Sequence, residues 1–180
     1  MSKHREATRL NVQALAEAGS ELNESILLHK LERLAPESID KNTENTVEWR
    51  AKFELRTGAG GQPDVWLHLH ASTCLALTCQ RCMTPVSMPL EVEQWYRFVA
   101  TEALAMAEDD ASEEDLLVIA PQFDLLAVLE DELLMALPLV PMHDVCPVLP
   151  AFSAGEVELI EPALAKPNPF AALAQLKKPK

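Results

Sequence analysis

The sharpest chemical signal in the chain is Cys79-Gln80-Arg81-Cys82. Two thiolates at this spacing can hold one metal ion at the knuckle of a hairpin, and Zn²⁺ takes about four sulfur or nitrogen ligands in a tetrahedron. The pair supplies half of such a site. His143 and Cys146, three residues apart, would complete a set of three cysteines and one histidine if the fold carries them to the hairpin tip. Two other readings stay open for the pair: reduced turn cysteines without metal, and redox chemistry. A thioredoxin-like pair, however, sits at a helix N-terminus, where the dipole lowers the thiol pKa, and this one falls between two predicted strands. Cys74 lies on the opposite strand parity from Cys79 and reads as a small packing residue.

The remaining candidates for chemistry have simpler readings. Glu130, Asp131 and Glu132 suggest paired carboxylates, yet consecutive helical residues point about 100° apart and cannot flank one substrate, so a solvated helix face is expected. His68, His70 and Trp66 share the polar parity of a strand and read as its outer face, while Trp49, Trp66 and Trp95 read as core or sheet-surface packing. No Ser/His/Asp order, phosphate-cradling glycine loop or dinucleotide fingerprint is present. The expectation is a protein that is not an enzyme and has no small-molecule substrate.

These residues need elements to position them. From Thr46 to Arg56, Val47, Trp49, Ala51, Phe53 and Leu55 alternate with charged residues, the period of a half-buried strand. Gly58, Gly60, Gly61 and Pro63 break the pattern, and alternation resumes through Val65, Leu67, Leu69, Ala71, Leu75 and Leu77. After the turn at 79–85, Val86, Met88, Leu90, Val92, Tyr96 and Phe98 share a third face. Three such strands predict an antiparallel β-meander. Residues 116–119 fit a short edge strand. Asp124 is the expected N-cap of a helix over 125–137, with Leu125, Val128, Leu129, Leu133 and Ala136 on one stripe and Pro138 ending it.

Upstream, apolar spacing predicts two short helices within 11–34, the first stopped by Gly19 and the second by Pro36. The fold class is therefore α+β: an antiparallel β-meander sheet with a covering helix, a helical N-terminal segment and a proline-rich extended C-terminal tail. In this division residues 1–45 are the N-terminal segment packed on the core, 46–145 the core domain with an acidic loop at 101–115, and 146–180 the tail.

Charge narrows the partners. The chain of 180 residues carries a net charge of -13, which opposes non-specific binding to phosphate. Seven acidic residues fall between Glu102 and Asp115 with no base among them, and like charges at that density predict a solvated loop. The ends are basic, with Lys3, Arg5 and Arg9 at one and Lys177, Lys178 and Lys180 at the other. In the tail, Phe170, Leu173 and Leu176 recur at three-residue spacing after Pro169 and, with Lys177 and Lys178, form a candidate partner-binding hook. No apolar run reaches the roughly 18 residues of a membrane span, and the first residues lack the apolar core of a secretory signal, so a cytoplasmic protein with no membrane partner is expected.

Three segments in order carry a family resemblance: TCQRC at 78–82, EDELLMALPLVPMHD at 130–144 followed by Cys146, and KPNPFAALAQLKK at 166–178. Together they resemble the YceD family of large ribosomal RNA subunit accumulation proteins, over most of the chain from the first predicted strand onward. The resemblance implies a ribosome-biogenesis factor for synthesis, processing or stability of 23S rRNA. Its partner would be a large-subunit precursor, met through 23S rRNA, a basic ribosomal protein or a processing factor. The resemblance supplies no catalytic residue. Some relatives carry further cysteines after the helix, where this chain has Cys146 alone. A small metal-binding or thiol redox protein is the alternative, and one structural Zn is the cofactor to test.

Overall fold

A computed structural model describes residues 7–41, 44–58 and 61–148. Its elements run α1 (Val12–Glu17), β1 (Glu21–Leu27), β2 (Thr46–Thr57), β3 (Pro63–Thr78), β4 (Pro85–Val99), α2 (Glu102–Glu108), β5 (Asp115–Val118) and α3 (Leu125–Met135). The strands form one sheet in the order β1-β2-β3-β4-β5. The first four are antiparallel neighbours, and β5 pairs parallel to β4.

Register explains why the alternation is so regular. Phe53 faces Leu67, which faces Tyr96, and Trp49 faces Ala71, which faces Val92, so one parity of three strands makes a single apolar surface. Phe53, Leu67, Leu69 and Leu75 are fully buried. α3 covers this surface with Leu125, Leu129 and Leu133, and α1 adds Val12 and Ala16. Asp124 caps α3 by accepting from the Ala127 N–H at 3.0 Å, and Asn11 caps α1 by accepting from Ala14. α1 ends at Gly19, whose φ of 58° is the left-handed conformation glycine adopts at least cost. α3 stops at Met135, two residues before the expected end, because Pro138 withdraws a backbone donor and restricts Leu137.

Several expectations are corrected. Among the described residues of the predicted helical N-terminal segment, only α1 is an α-helix; residues 21–27 are a strand, followed by single 3-10 turns at 28–30 and 35–37. Leu22 and Ile26 lie opposite Ala51 and Val47, so β1 extends the apolar surface by pairing with an otherwise bare edge. The acidic stretch 101–115 holds a helix, because β5 is parallel to β4 and a parallel partner requires a crossover of about a dozen residues. Thr101 caps that helix, and Arg97 gathers acids of the crossover, with Nη1 2.9 Å from Glu108 at the helix end and Nε 2.6 Å from Glu114 just before β5. The carboxylates of 130–132 are not a free face. Glu130, 8% exposed, accepts from the N–H groups of Arg33 and Leu34 at 2.7 and 3.0 Å, Asp131 pairs with Arg33, and Glu132 accepts from the Tyr96 hydroxyl.

The opposite face of the sheet is open and carries the polar parity. His68 stacks on Trp95 with ring centroids 4.0 Å apart, and Arg56 lies 4.0 Å over Trp95 and 4.6 Å over Trp66. His68 and His70 reach Glu93 and Glu91 across the β3-β4 pair. Cys74 is exposed on this face, 2.8 Å from the Ser87 hydroxyl, and so is not a packing residue.

Candidate metal centre

β3 and β4 converge on a six-residue knuckle, Cys79 to Thr84, closed by Cys79 N–H donating to Thr84 and Met83 N–H donating to Cys79, each at 2.9 Å. Met83 has φ of 60°, the conformation that lets the chain reverse tightly enough for Cys79 and Cys82 to face the same point. The segment after α3 returns to this knuckle. Gln80 N–H donates to the Pro141 carbonyl at 2.9 Å, and Arg81 donates to the carbonyls of His143 and Asp144 at 2.6 and 3.3 Å.

The fold thereby brings Cys79, Cys82, His143 and Cys146 together, with all four ligand atoms within 4.8 Å of one another. Cys79 Sγ is 3.9 Å from Cys146 Sγ, and Cys82 Sγ is 3.5 Å from His143 Nδ1. A tetrahedral ion with bonds of about 2.3 Å to sulfur and about 2.0 Å to nitrogen sets S–S edges of about 3.8 Å and S–N edges of about 3.5 Å. The spacing fits such an ion, and these residues could hold one. His143 Nε2 lies 3.0 Å from the Pro85 carbonyl; a proton held there on Nε2 leaves Nδ1 free as the ligand atom.

Electrostatics favour deprotonated sulfur at Cys79 and Cys82. Burial raises the Cys79 pKa, but backbone N–H groups of His143, Cys82 and Arg81, together with the His143 ring, outweigh it and bring the thiol down to about 5. The Thr84 hydroxyl, the largest influence on Cys82, lowers its pKa as well. His143 is raised, chiefly by Cys79. Burial pushes Cys146 up, and Arg81 opposes it with Nε 2.9 Å from the sulfur.

Arg81 is the residue that spacing did not identify, although it is the only Lys or Arg between Arg56 and Arg97. A lone cation between two cysteines was the available signal. The tail candidates Phe170, Leu173, Leu176, Lys177 and Lys178 lie outside the described residues. Away from the knuckle, a cleft of about 910 Å³ is lined in part by Trp66, Arg97, Glu108 and Glu114, where the Arg97 cation is already paired.

The family model of the Large ribosomal RNA subunit accumulation protein YceD matches residues 67–177, which includes all four candidate ligands and, of the tail candidates, Phe170, Leu173, Leu176 and Lys177. The chain belongs to the YceD family. The match begins within β3, so β1 and β2 lie outside it. The Large ribosomal RNA subunit accumulation protein YceD of Haemophilus influenzae is 42% identical over 103 residues, 56% of this YceD-family chain and 59% of that protein. This chain thus spans less than two thirds of the length of that relative. No solved structure matches it. Among the described residues, no helix is long and apolar enough to cross a membrane.

Proposed function

We propose that this chain supports synthesis, processing or stability of 23S rRNA during assembly of the large ribosomal subunit, acting by binding and not by catalysis. In this reading Cys79, Cys82, His143 and Cys146 hold one structural Zn²⁺ that fastens the segment after α3 to the tip of β3 and β4. The observation that carries it is the four-ligand set within 4.8 Å. Structural zinc sites are closed by four protein ligands, whereas catalytic ones keep a position for water or substrate. The role in rRNA comes from the family and from the name of the Haemophilus influenzae relative. The protein works in the cytoplasm on a large-subunit precursor, and its charge of -13 favours a basic ribosomal protein or processing factor as the immediate contact.

Thiol redox chemistry is the second reading, favoured by the Cys79 pKa of about 5. Against it, Cys79 has no exposed surface for a substrate to reach. The ratio of 23S to 16S rRNA in cells depleted of the protein tests both. Depletion lowers the ratio and the wild-type chain restores it; a ratio indifferent to depletion overturns the rRNA role. His143→Ala removes a ligand and keeps every thiol, so full restoration supports thiol chemistry, and failure to restore together with loss of bound zinc supports the metal reading.

A further inference from the structure

Cys79 and Cys146 stand 67 residues apart in the chain, and their sulfurs are in contact at 3.9 Å. A disulfide bond is about 2.05 Å long, so side-chain movements of less than about 2 Å would close the gap. Cys82 is engaged elsewhere, its sulfur 3.1 Å from the Thr84 hydroxyl and 3.5 Å from His143 Nδ1. The contact does not depend on a metal. Gln80 N–H bonds the Pro141 carbonyl, Arg81 bonds the carbonyls of His143 and Asp144 as well as the Cys146 sulfur, and His143 Nε2 reaches the Pro85 carbonyl. These bonds hold Cys146 against the knuckle with or without an ion.

Exposure and charge set the order in which the two sulfurs react. Cys79 is fully buried, whereas Cys146 is partly exposed, so a small oxidant meets Cys146 first. Cys82 is partly exposed too, but only Cys146 has the Arg81 guanidinium beside it, with Nε 2.9 Å from the sulfur, to stabilise charge developing on a departing oxygen. The Cys146 thiolate attacks one oxygen of hydrogen peroxide: an S–O bond forms, the O–O bond breaks, and hydroxide leaves a sulfenic acid behind. The Cys79 thiolate then attacks the Cys146 sulfur, an S–S bond replaces the S–O bond, and a second hydroxide leaves. Two electrons have passed from the sulfurs to the peroxide, and the two hydroxides take protons from solvent to become water. Only Cys82 and His143 then remain as ligands, half of the set that zinc requires.

We infer that the knuckle is a peroxide-sensitive switch: oxidation at Cys146 is resolved by Cys79, the resulting disulfide expels zinc, and the segment after α3 stays fastened to the hairpin by a covalent bond in place of the metal. The inference rests on the structural-zinc reading above and adds its regulation. Burial protects Cys79 from direct attack, and its contact with Cys146 gives it the resolving role.

The test uses the full chain carrying Cys74→Ser, which removes the one thiol outside the cluster, loaded with zinc and treated with hydrogen peroxide. Released zinc is followed with a colorimetric chelator, sulfenic acid is trapped with dimedone, and disulfides are mapped by peptide mass spectrometry. The expected result is loss of one zinc per chain in step with one Cys79–Cys146 disulfide, early dimedone labelling at Cys146 and none at Cys79, and recovery of the zinc-loaded form on adding a thiol reductant with zinc. A Cys79–Cys82 disulfide, first labelling at Cys82, or a disulfide that leaves the zinc bound overturns the switch. A chain that holds zinc yet forms no disulfide under peroxide overturns the switch alone, whereas a chain that takes up no zinc overturns the structural-zinc reading along with it.

Discussion

Glu130 stands between a leucine and Asp131 on α3, and its burial separates its role from that of its acidic neighbours. Its carboxylate satisfies two backbone N–H groups at Arg33 and Leu34 that no regular element would otherwise pair. Truncating it leaves both buried donors unpaired, so Glu130→Ala is expected to cost about 2–4 kcal/mol in urea unfolding. Asp131→Ala, whose pair with Arg33 is more than half exposed on both sides, should cost about 0–1 kcal/mol. Equal losses for the two variants would contradict this assignment. The sequence placed all three acids on a helix but could not reveal the clamp, because Arg33 and Glu130 are 97 residues apart and meet only through the tertiary fold. The CxxC pair was legible for the opposite reason: its spacing is local. That His143 and Cys146 stand beside it depends on where the chain returns after α3.

At the scale of elements, β2, β3 and β4 were readable from alternation because one face is buried and the other open. β1 was not, since Ile26, Leu31 and Leu34 are also spaced like a helix stripe, and only pairing with β2 resolves the ambiguity. α2 was missed because charge density alone suggests a solvated loop, while the parallel placement of β5 demands a crossover. The crossover is pinned by Arg97, and this gives it a pH signature. Burial raises the Glu114 pKa, but the Arg97 guanidinium more than offsets this, so the carboxyl ionises below its ordinary 4.5. A depressed carboxyl contributes stability that is present above its unfolded pKa and lost as pH falls through the folded value. Melting temperatures of the wild type and Glu114→Gln should therefore differ most at about pH 7 and converge as pH falls below about 4.5. A difference that persists undiminished to about pH 3 would contradict the ion pair's role.

Across the whole molecule, the sheet order brings the ends of β3 and β4 to the segment after α3, so one metal ion would tie residues far apart in sequence. The family match covers this centre and most of the tail but begins within β3, later than the first predicted strand from which the resemblance was expected to run. The full chain, prepared under reducing conditions with zinc supplied, should contain one zinc per chain. X-ray absorption should then find three sulfurs at about 2.3 Å and one nitrogen at about 2.0 Å, with a lower melting temperature on chelation and loss of zinc in Cys82→Ser. A chain that retains no zinc, leaves Cys79, Cys82 and Cys146 free in thiol titration and melts at the same temperature with and without chelator would contradict this metal tie.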